Sequence, residues 1–308
     1  MHDRRGRLRA IAPITALLAL QLFAVSGSAH AFCRTTTVQK PATFSEVLLQ
    51  QCFTDGKPLW WAGRCVGYSL QASGSKNFTF ADLEPVVKSA VDAWAGVNCA
   101  GPNGTGPVSI DLQYLGAAAC SKVEFRGDAG NVNVIVFRDD SWPADQDPDH
   151  VIALTTVQYN TTTGELRGVD MEINTAKQNI NLDGAGGSIA LPGVLTHEAG
   201  HMLGFAHSTE KTSTMYEKYN SSIGNLSSDD IAAVCTVYPP DGTRPTADGT
   251  RAALACDPTP PRGYVPDCFA GDSGGCSCEA MGSRAGSGGA LVFAVALGAL
   301  LRRHRSRR

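Results

Sequence analysis

Residues 197–207 read His197-Glu-Ala-Gly-His-Met-Leu-Gly-Phe-Ala-His207, and the spacing of the histidines in this stretch decides the fold. On a helix, His197 and His201 are four residues apart, so both imidazoles project from one face at a separation that tetrahedral Zn²⁺ accepts. Gly204 lets the chain turn sharply out of the helix, because glycine adopts positive φ without steric cost, and the turn brings His207 round as a third ligand. Three protein ligands leave one position open, which predicts a catalytic rather than a structural zinc.

Glu198 lies between two of these ligands on the same helix. A carboxylate in this position is placed to take a proton from a water that the metal activates, rather than to bind the metal itself. The pattern therefore predicts a zinc endopeptidase that acts on polypeptides, with Glu198 as the general base. Two alternatives stay open: a pair of surface histidines beside a solvated glutamate, and a surface-tethered adhesion or binding module that keeps the zinc fold without significant turnover.

The full pattern, followed by a methionine, resembles the metzincin metallopeptidases and, among them, the matrixins. Ser208 directly follows the third histidine, and Met215-Tyr216-x-x-Tyr219 has the matrixin spacing. Glu217 stands where astacin-like and serralysin-like enzymes place a zinc-binding tyrosine, which argues against both of those branches. The resemblance implies that Met215 forms a hydrophobic floor beneath the histidines and does not bind the metal.

The resemblance covers roughly residues 58 to 238 and implies an α+β fold, a matrixin-like catalytic domain with zinc in a cleft between an upper and a lower lobe. Hydrophobic alternation predicts about five strands, and helical spacing predicts about three helices. The resemblance implies that the strands form a twisted mixed sheet. The strand predictions are 66–70, 108–114, 132–136, 151–159 and 169–173. The first helix is predicted within 79–97, with Pro85 moving its start toward Glu84, and the zinc helix from Leu191 or Pro192.

A third helix is expected after Ser227, which can cap it while Asp229 and Asp230 suit its first turn. In matrixins, paired aspartates at this place support the turn that carries the methionine, and the resemblance gives both residues that role. The two interpretations are compatible.

Substrate contacts are implied by the resemblance alone. In this fold the lower edge strand of the sheet runs antiparallel to an extended peptide, and the stretch Ile152, Ala153, Leu154, Thr155 lies where that strand is expected. Backbone pairing there would hold any peptide irrespective of its sequence. The wall of a side-chain pocket is expected from 216–220, with Tyr216 and Tyr219.

Matrixins hold a structural zinc and calcium in a histidine-rich loop, and the corresponding stretch here, residues 138–150, contains His150 as its only histidine. We therefore expect one zinc per chain, the catalytic one. Five aspartates in the same stretch could bind Ca²⁺ through oxygen ligands. The alternative is a solvated acidic loop.

The chain contains 10 cysteines, which predict disulfides in an exported protein. The six in and before the catalytic region allow 15 connectivities. We expect the pairs Cys33–Cys52, Cys99–Cys120 and Cys65–Cys235. No Pro-Arg-Cys-Gly segment and no room for the usual matrixin prodomain are present ahead of Cys65, so Cys33 and Cys52 are read as a disulfide rather than a latency switch.

The ends of the chain predict its location. Residues 1–31 have a basic start, an apolar stretch and Ala29-His-Ala31, which predict a secretory signal peptide. An N-terminal disulfide-bearing segment (32–64), the catalytic domain (65–238), a flexible Pro/Gly-rich linker (239–275) and a tail (276–308) are expected to follow.

The tail contains a Gly-Cys element, an apolar run predicted as a short hydrophobic helix, and an arginine cluster. It resembles the C-terminal sorting tails of myxobacterial surface proteins, which implies a cell-surface or membrane partner. A plain membrane anchor is the alternative, although the run is short for a span. The formal net charge of −3 gives no reason to expect nucleic acid as a partner.

Overall fold

The computed structural model describes residues 31–221 and 224–267, together with the backbone of residues 288–296. The α-helices in these ranges are α1 (Glu46–Leu49), α2 (Phe80–Ala95), α3 (Leu191–Met202) and α4 (Ser228–Val237), and a short 3₁₀ helix spans Ala185–Gly187. The strands are β1 (Cys33–Arg34), β2 (Cys65–Gln71), β3 (Asn98–Gly101), β4 (Gly104–Pro107), β5 (Asp111–Ala118), β6 (Val134–Phe137), β7 (Val151–Asn160), β8 (Leu166–Ile173), β9 (Ile180–Asn181), β10 (Ile189–Ala190), β11 (Phe205–Ala206), β12 (Thr243–Thr246), β13 (Gly249–Ala252) and β14 (Gly288–Ala296).

The main sheet has the strand order β14-β7-β8-β6-β2-β5. Strands β5, β2, β6 and β8 are parallel to one another, whereas β7 is antiparallel to β8, so the sheet is mixed. The five strands from β7 to β5 are the predicted ones and confirm the predicted fold class. Three long helices and the short α1 accompany them.

Helix α2 begins earlier than Pro85 suggested. Its N-cap is Thr79, whose hydroxyl accepts from the Asp82 amide at 3.2 Å while the Asp82 carboxylate accepts from the Thr79 amide at 3.2 Å. This reciprocal cap satisfies two otherwise unpaired N–H groups. Pro85 removes only one hydrogen bond near the start of the helix, so the expected start near Glu84 is wrong.

Helices α2 and α3 pack together against the sheet and enclose the main core. The indole of Trp94 is fully buried, and its Nε1 donates to the Thr196 carbonyl at 2.8 Å. This contact fixes the rotation of α3, which is buried almost throughout from Val194 onward. A helix buried on most of its circumference presents its histidines from a rigid support.

The disulfides agree with the predicted pairing in part. Cys33–Cys52 is confirmed, whereas Cys99 pairs with Cys235 and Cys65 pairs with Cys256. The expected pairs Cys99–Cys120 and Cys65–Cys235 are therefore wrong, although Cys120 is also disulfide-bonded. The reason is spatial, since α4 lies beside β3 and brings Cys235 to the strand that contains Cys99.

The expectation of a flexible linker from residue 239 is wrong for residues 239–267, which pack on the catalytic domain. Arg244 in β12 is fully buried and donates to the carbonyls of Trp61, Gly63 and Ser109. The backbone of 258–266 continues this attachment through hydrogen bonds to Gly67, Asn131 and Cys120. Backbone carbonyls satisfy the buried guanidinium, so a stretch poor in hydrophobic residues is still held.

The apolar run of the tail contains a strand where a short helix was expected. Residues 288–296 form β14, which pairs antiparallel with β7 along its length. Without β14, β7 would be the edge strand, and its outer backbone N–H and C=O groups are those that an extended segment can satisfy. Within the described ranges no helix has the length and hydropathy needed to cross a membrane. The Gly-Cys element and the arginine cluster lie outside the described residues.

Candidate metal centre

His197 and His201 face each other on α3 with their Nε2 atoms 3.1 Å apart. Each Nδ1 lies against a backbone carbonyl, that of Thr214 at 2.6 Å for His197 and that of Phe205 at 2.8 Å for His201. A carbonyl oxygen only accepts, so each Nδ1 carries the hydrogen and the two Nε2 lone pairs converge. Two lone pairs this close repel each other unless a cation lies between them, which is the arrangement that a metal requires.

His207 completes the group from the segment that follows the helix. Gly204 has φ +88°, and a Cβ there would also lie 3.1 Å from the Leu59 carbonyl, so glycine is required on both counts. Strand β11 then pairs with β1, which holds the residues just before His207 in place. The ligand atoms of His197, His201 and His207 all lie within 4.8 Å of one another.

The three histidines are nearly or fully buried. Burial lowers the pKa of His197 to about 4, with the Thr214 carbonyl acting in the opposite direction. Burial and the neighbouring His197 lower the pKa of His201 well below its ordinary value. Both imidazoles are therefore neutral near pH 7, the form in which histidine binds zinc.

Glu198 is fully buried beside this group. The Thr155 hydroxyl of β7 donates to its Oε2, and its Oε1 has no hydrogen-bond partner among the described residues. Burial raises the pKa of Glu198 to about 8, and the Thr155 hydrogen bond acts in the opposite direction. A divalent cation at the adjacent histidines favours the ionised carboxylate, because opposite charges stabilise each other in a site of low dielectric.

Met215 is buried directly beneath the helix, where the resemblance placed it. A Cβ on Gly200 would lie 2.2 Å from the Met215 sulfur and 2.8 Å from the Trp94 ring. The methionine thus packs against the backbone of α3 between the two histidines, and only glycine leaves room for it. Sequence reasoning did not single out Gly200, although its place within the histidine pattern was a signal.

Asp230 holds the turn around Met215, whereas Asp229 holds Ser208, the residue after His207. Asp230 accepts from the Ser213 hydroxyl and from the amides of Thr214 and Met215, and it also caps α4. Asp229 accepts from the Ser208 hydroxyl and from the amides of Ala31 and Phe32. Asp230 therefore links the start of α4 to the segment that presents the Thr214 carbonyl. Asp229 links the start of α4 to the residue that follows His207.

The predicted substrate strand lies beside the metal centre, with two differences. Ile152, Ala153, Leu154 and Thr155 are all buried, and the Thr155 side chain faces Glu198 rather than a bound peptide. The outer edge of β7 is paired with β14, and Thr155 lies opposite Phe293. The edge thus accepts an extended antiparallel segment, which here belongs to the chain itself.

The predicted pocket wall also lies at the site. A narrow cavity of about 20 Å³ is lined by His197, Thr214, Tyr216, Tyr219 and other residues of the same two segments. The Tyr219 hydroxyl accepts from the Ala190 amide at 2.8 Å and ties this wall to the start of α3.

One neighbour of the centre was missed. A carboxylate oxygen of Glu46, in α1, lies within 4.8 Å of a His207 ring nitrogen and of a Glu217 carboxylate oxygen. Two groups in the described ranges have the spacing of metal ligands, namely the histidine triad and the group of Glu46, His207 and Glu217. The acidic loop 138–150 contributes no residue to either group. Calcium binding by the acidic loop 138–150 stays a prediction. Nothing in the local sequence around Glu46 signals its contact with residues so distant along the chain.

The described geometry agrees with the comparison to known families. The matrixin family model matches residues 60–239, more than half of the chain. The matched region contains the three histidines, Glu198, Met215 and both aspartates. Its histidine triad fits the zinc that this family binds. The chain therefore belongs to the matrixin family of zinc metallopeptidases.

Proposed function

We propose that this protein is an exported zinc endopeptidase that hydrolyses internal peptide bonds of extracellular proteins. The observation that carries the proposal is the convergence of ligand atoms from three buried histidines beside a buried glutamate with one unpartnered oxygen. Three histidine ligands leave a coordination position open for chemistry.

His197, His201 and His207 would hold the zinc, with the carbonyls of Thr214 and Phe205 fixing the orientation of the first two rings. Zinc, when bound, polarises a carbonyl and lowers the pKa of water. These outer hydrogen bonds also raise the basicity of the imidazoles as ligands.

Glu198 acts as general base and then as general acid. Its Oε1 takes a proton from the attacking water and passes it to the departing amine, so the carboxylate ends the cycle in the form in which it began. The Thr155 hydroxyl holds Oε2 and keeps Oε1 directed away from β7. Burial among apolar neighbours excludes bulk water from the proton that is transferred.

The peptide would be held along the outer edge of β7. An antiparallel segment already pairs there from Val151 to Asn160, which supports this edge as a place for an extended chain. Main-chain pairing gives affinity that does not depend on sequence, so preference has to come from side-chain pockets. Pairing of a substrate requires β14 to leave.

Export rests on the predicted signal peptide and on the disulfides, which are consistent with an extracellular protein. Cleavage after Ala31 would convert the Phe32 amide nitrogen into an ammonium group 3.0 Å from Asp229 Oδ1. This ion pair would fix the new N-terminus on α4. Sorting to the cell surface through the C-terminal tail remains a further part of the proposal.

The test is cleavage of a quenched peptide library and of casein by the purified protein, with and without a chelator. Glu198→Ala is expected to retain zinc and to lose cleavage by several orders of magnitude. Loss of zinc from the variant in elemental analysis, or activity near the wild-type value, would show that Glu198 does not act as the base. A wild-type protein that binds zinc but cleaves nothing would favour the binding module.

A further inference from the structure

The strand β14 lies where the proposed function places a peptide substrate. It pairs with the outer edge of β7, from Gly288 opposite Asn160 to Ala296 opposite Val151. Its direction is antiparallel to β7, which is the direction expected of a substrate at this edge. It also contacts α3, the helix that bears Glu198. Part of the chain itself therefore occupies the position of an extended peptide beside the metal centre.

The register of this pairing brings one part of β14 closest to the general base. Thr155 of β7 donates a hydrogen bond to the Glu198 carboxylate. The residue opposite Thr155 on β14 is Phe293. Neighbouring strands lie about 4.8 Å apart, so the backbone on either side of Phe293 is the part of β14 nearest to Thr155. The bonds between Leu291 and Val295 are therefore the ones placed for attack.

The stretch that precedes the tail is held on the same domain. The disulfide Cys65–Cys256 ties it to β2, and the buried Arg244 binds the carbonyls of Trp61 and Ser109. A segment tethered in this way has an effective concentration of about millimolar at a site that it can reach. The edge of β7 therefore meets its own tail before it meets an external peptide.

We propose that this enzyme hydrolyses its own tail in cis, at one of the bonds between Leu291 and Val295. The inference rests on the proposed peptidase function and names a first substrate for that site. The reaction consumes one water, whose oxygen joins the carbonyl carbon as the C–N bond breaks. Glu198 takes a proton from this water and passes it to the amine that leaves.

The cut divides β14 into two shorter segments. Each of them pairs with β7 through fewer backbone hydrogen bonds than the intact strand does. Both segments therefore leave the edge more readily, and external peptides gain access to it. Self-cleavage would thus convert an enzyme with an occupied substrate edge into one with an accessible edge.

Intact-mass spectrometry of the full chain tests this reaction. The protein is purified without metal and with its disulfides intact, and the reaction is started with one equivalent of zinc. We expect release of a peptide that ends at Arg308 and begins at a residue from Val292 to Val295. Its rate should stay constant when the protein is diluted roughly tenfold, as an intramolecular step requires. Glu198→Ala should keep its complete tail under the same conditions.

Two matched proline variants assign the cut to the pairing of β14 with β7. Gly289→Pro/Ala290→Pro changes adjacent residues of β14, whose N–H groups point to opposite sides of the strand, so one of the two faces β7. Proline has no N–H and fixes φ, so self-cleavage should slow about fivefold or more. Gly298→Pro/Ala299→Pro makes the same residue changes beyond the end of β14 and should leave the rate unchanged. Both variants should still cleave an external quenched peptide, which shows that the active site is intact.

Amide hydrogen exchange gives a readout that does not depend on catalysis. In Glu198→Ala, the N–H groups of β14 that bond to β7 should exchange slowly with solvent, because exchange requires the strand to leave. Adding Gly289→Pro/Ala290→Pro to this variant should speed their exchange about fivefold or more, since the strand is held by fewer hydrogen bonds. Adding Gly298→Pro/Ala299→Pro should not change it.

A chain that cleaves an external peptide but keeps its complete tail would overturn the inference and leave the proposed function intact. The same cut in Glu198→Ala would assign it to another protease, and a rate that falls in proportion to dilution would mean that one molecule cuts another. A cut outside Leu291–Val295, or one that Gly289→Pro/Ala290→Pro leaves unaltered, would contradict the register. A chain that cleaves neither its tail nor any peptide would contradict the proposed function, and self-cleavage with it.

Discussion

Gly200→Ala is a single-methyl change that tests how the floor of the metal centre is packed. The added Cβ would lie 2.2 Å from the Met215 sulfur, 2.8 Å from the Trp94 ring and 3.1 Å from the Met215 methyl carbon. Met215 is 1% exposed and Trp94 is 0% exposed, so neither has open space into which it can move. Ordinary carbon contacts are about 3.5–4.0 Å, so the neighbours have to shift by more than about 1 Å.

Two effects of opposite sign determine how much Gly200→Ala changes the free energy of unfolding. Alanine is the better helix former, which stabilises α3 by about 0.5–1 kcal/mol. Overpacking a tight core costs about 1–3 kcal/mol, and the contact with sulfur lies at the upper end of that range. The net expectation is a loss of about 1–2 kcal/mol in the free energy of unfolding, or about 2–8 °C in Tm for a domain of this size.

Urea denaturation of the metal-free protein, with disulfides intact, measures this change. The same variant should bind zinc more weakly, because a displaced Met215 moves the Thr214 carbonyl that orients His197. Met215→Ala alone should cost about 2–5 kcal/mol, since it leaves a cavity. The double variant Gly200→Ala/Met215→Ala should be more stable than the sum of the two single losses predicts. Truncation of Met215 removes the clash with the new methyl group at position 200, and that methyl group fills part of the cavity that the truncation leaves.

Equal or greater stability of Gly200→Ala, with unchanged zinc affinity, would refute this packing. Strict additivity in the double variant would also contradict it, since the two side chains would then not be in contact. Ala199→Gly is a useful control for helix propensity, because it lies on the same helix and should cost only about 1 kcal/mol plus the small loss of packing.

Three further changes test other parts of the structure. Arg244→Met should lower the free energy of unfolding by about 3–5 kcal/mol in urea titrations, because it leaves several buried carbonyls unpaired; a loss within about 0.5 kcal/mol would be incompatible with the described contacts. Burial raises the pKa of Asp170 well above its ordinary value, so this carboxyl takes up a proton on folding above about pH 4, and its contribution to wild-type stability falls as the pH rises. Asp170→Asn lacks this dependence, so its stability relative to wild type should increase from pH 4 to pH 8, and a constant difference would argue against the shift. Removal of residues 288–308 should raise kcat/KM for peptides severalfold by freeing the outer edge of β7, and an unchanged value would mean that β14 does not compete with substrate.

Features with local causes could be predicted from the sequence. The start of α3 followed from Pro192, and the cap of α4 followed from Ser227 and Asp230. The three histidines came together as predicted because a helical turn and one glycine determine their relative positions. Each of these depends on interactions within about ten residues, where propensity and steric rules are decisive.

Features that depend on contacts between distant segments were missed. Arg244 lies in a stretch of Pro, Gly and Thr that is typical of a linker, and only the carbonyls of Trp61, Gly63 and Ser109 make its burial possible. Glu46 was not expected near His207, because the pairing of β1 with β11 brings the N-terminal segment there. Two of the three predicted disulfides were wrong for the same reason, since they depend on which elements pack together, whereas the pair Cys33–Cys52 was predicted correctly.

A zinc titration of the metal-free protein, followed by hydrolysis of a quenched peptide, tests the central claim most directly. We predict that activity rises linearly with zinc, reaches its maximum at one equivalent per chain, and is lost in His201→Ala at every zinc concentration tested. No hydrolysis at any zinc concentration, or full activity in His201→Ala, would contradict the assignment of a catalytic zinc to the histidine triad.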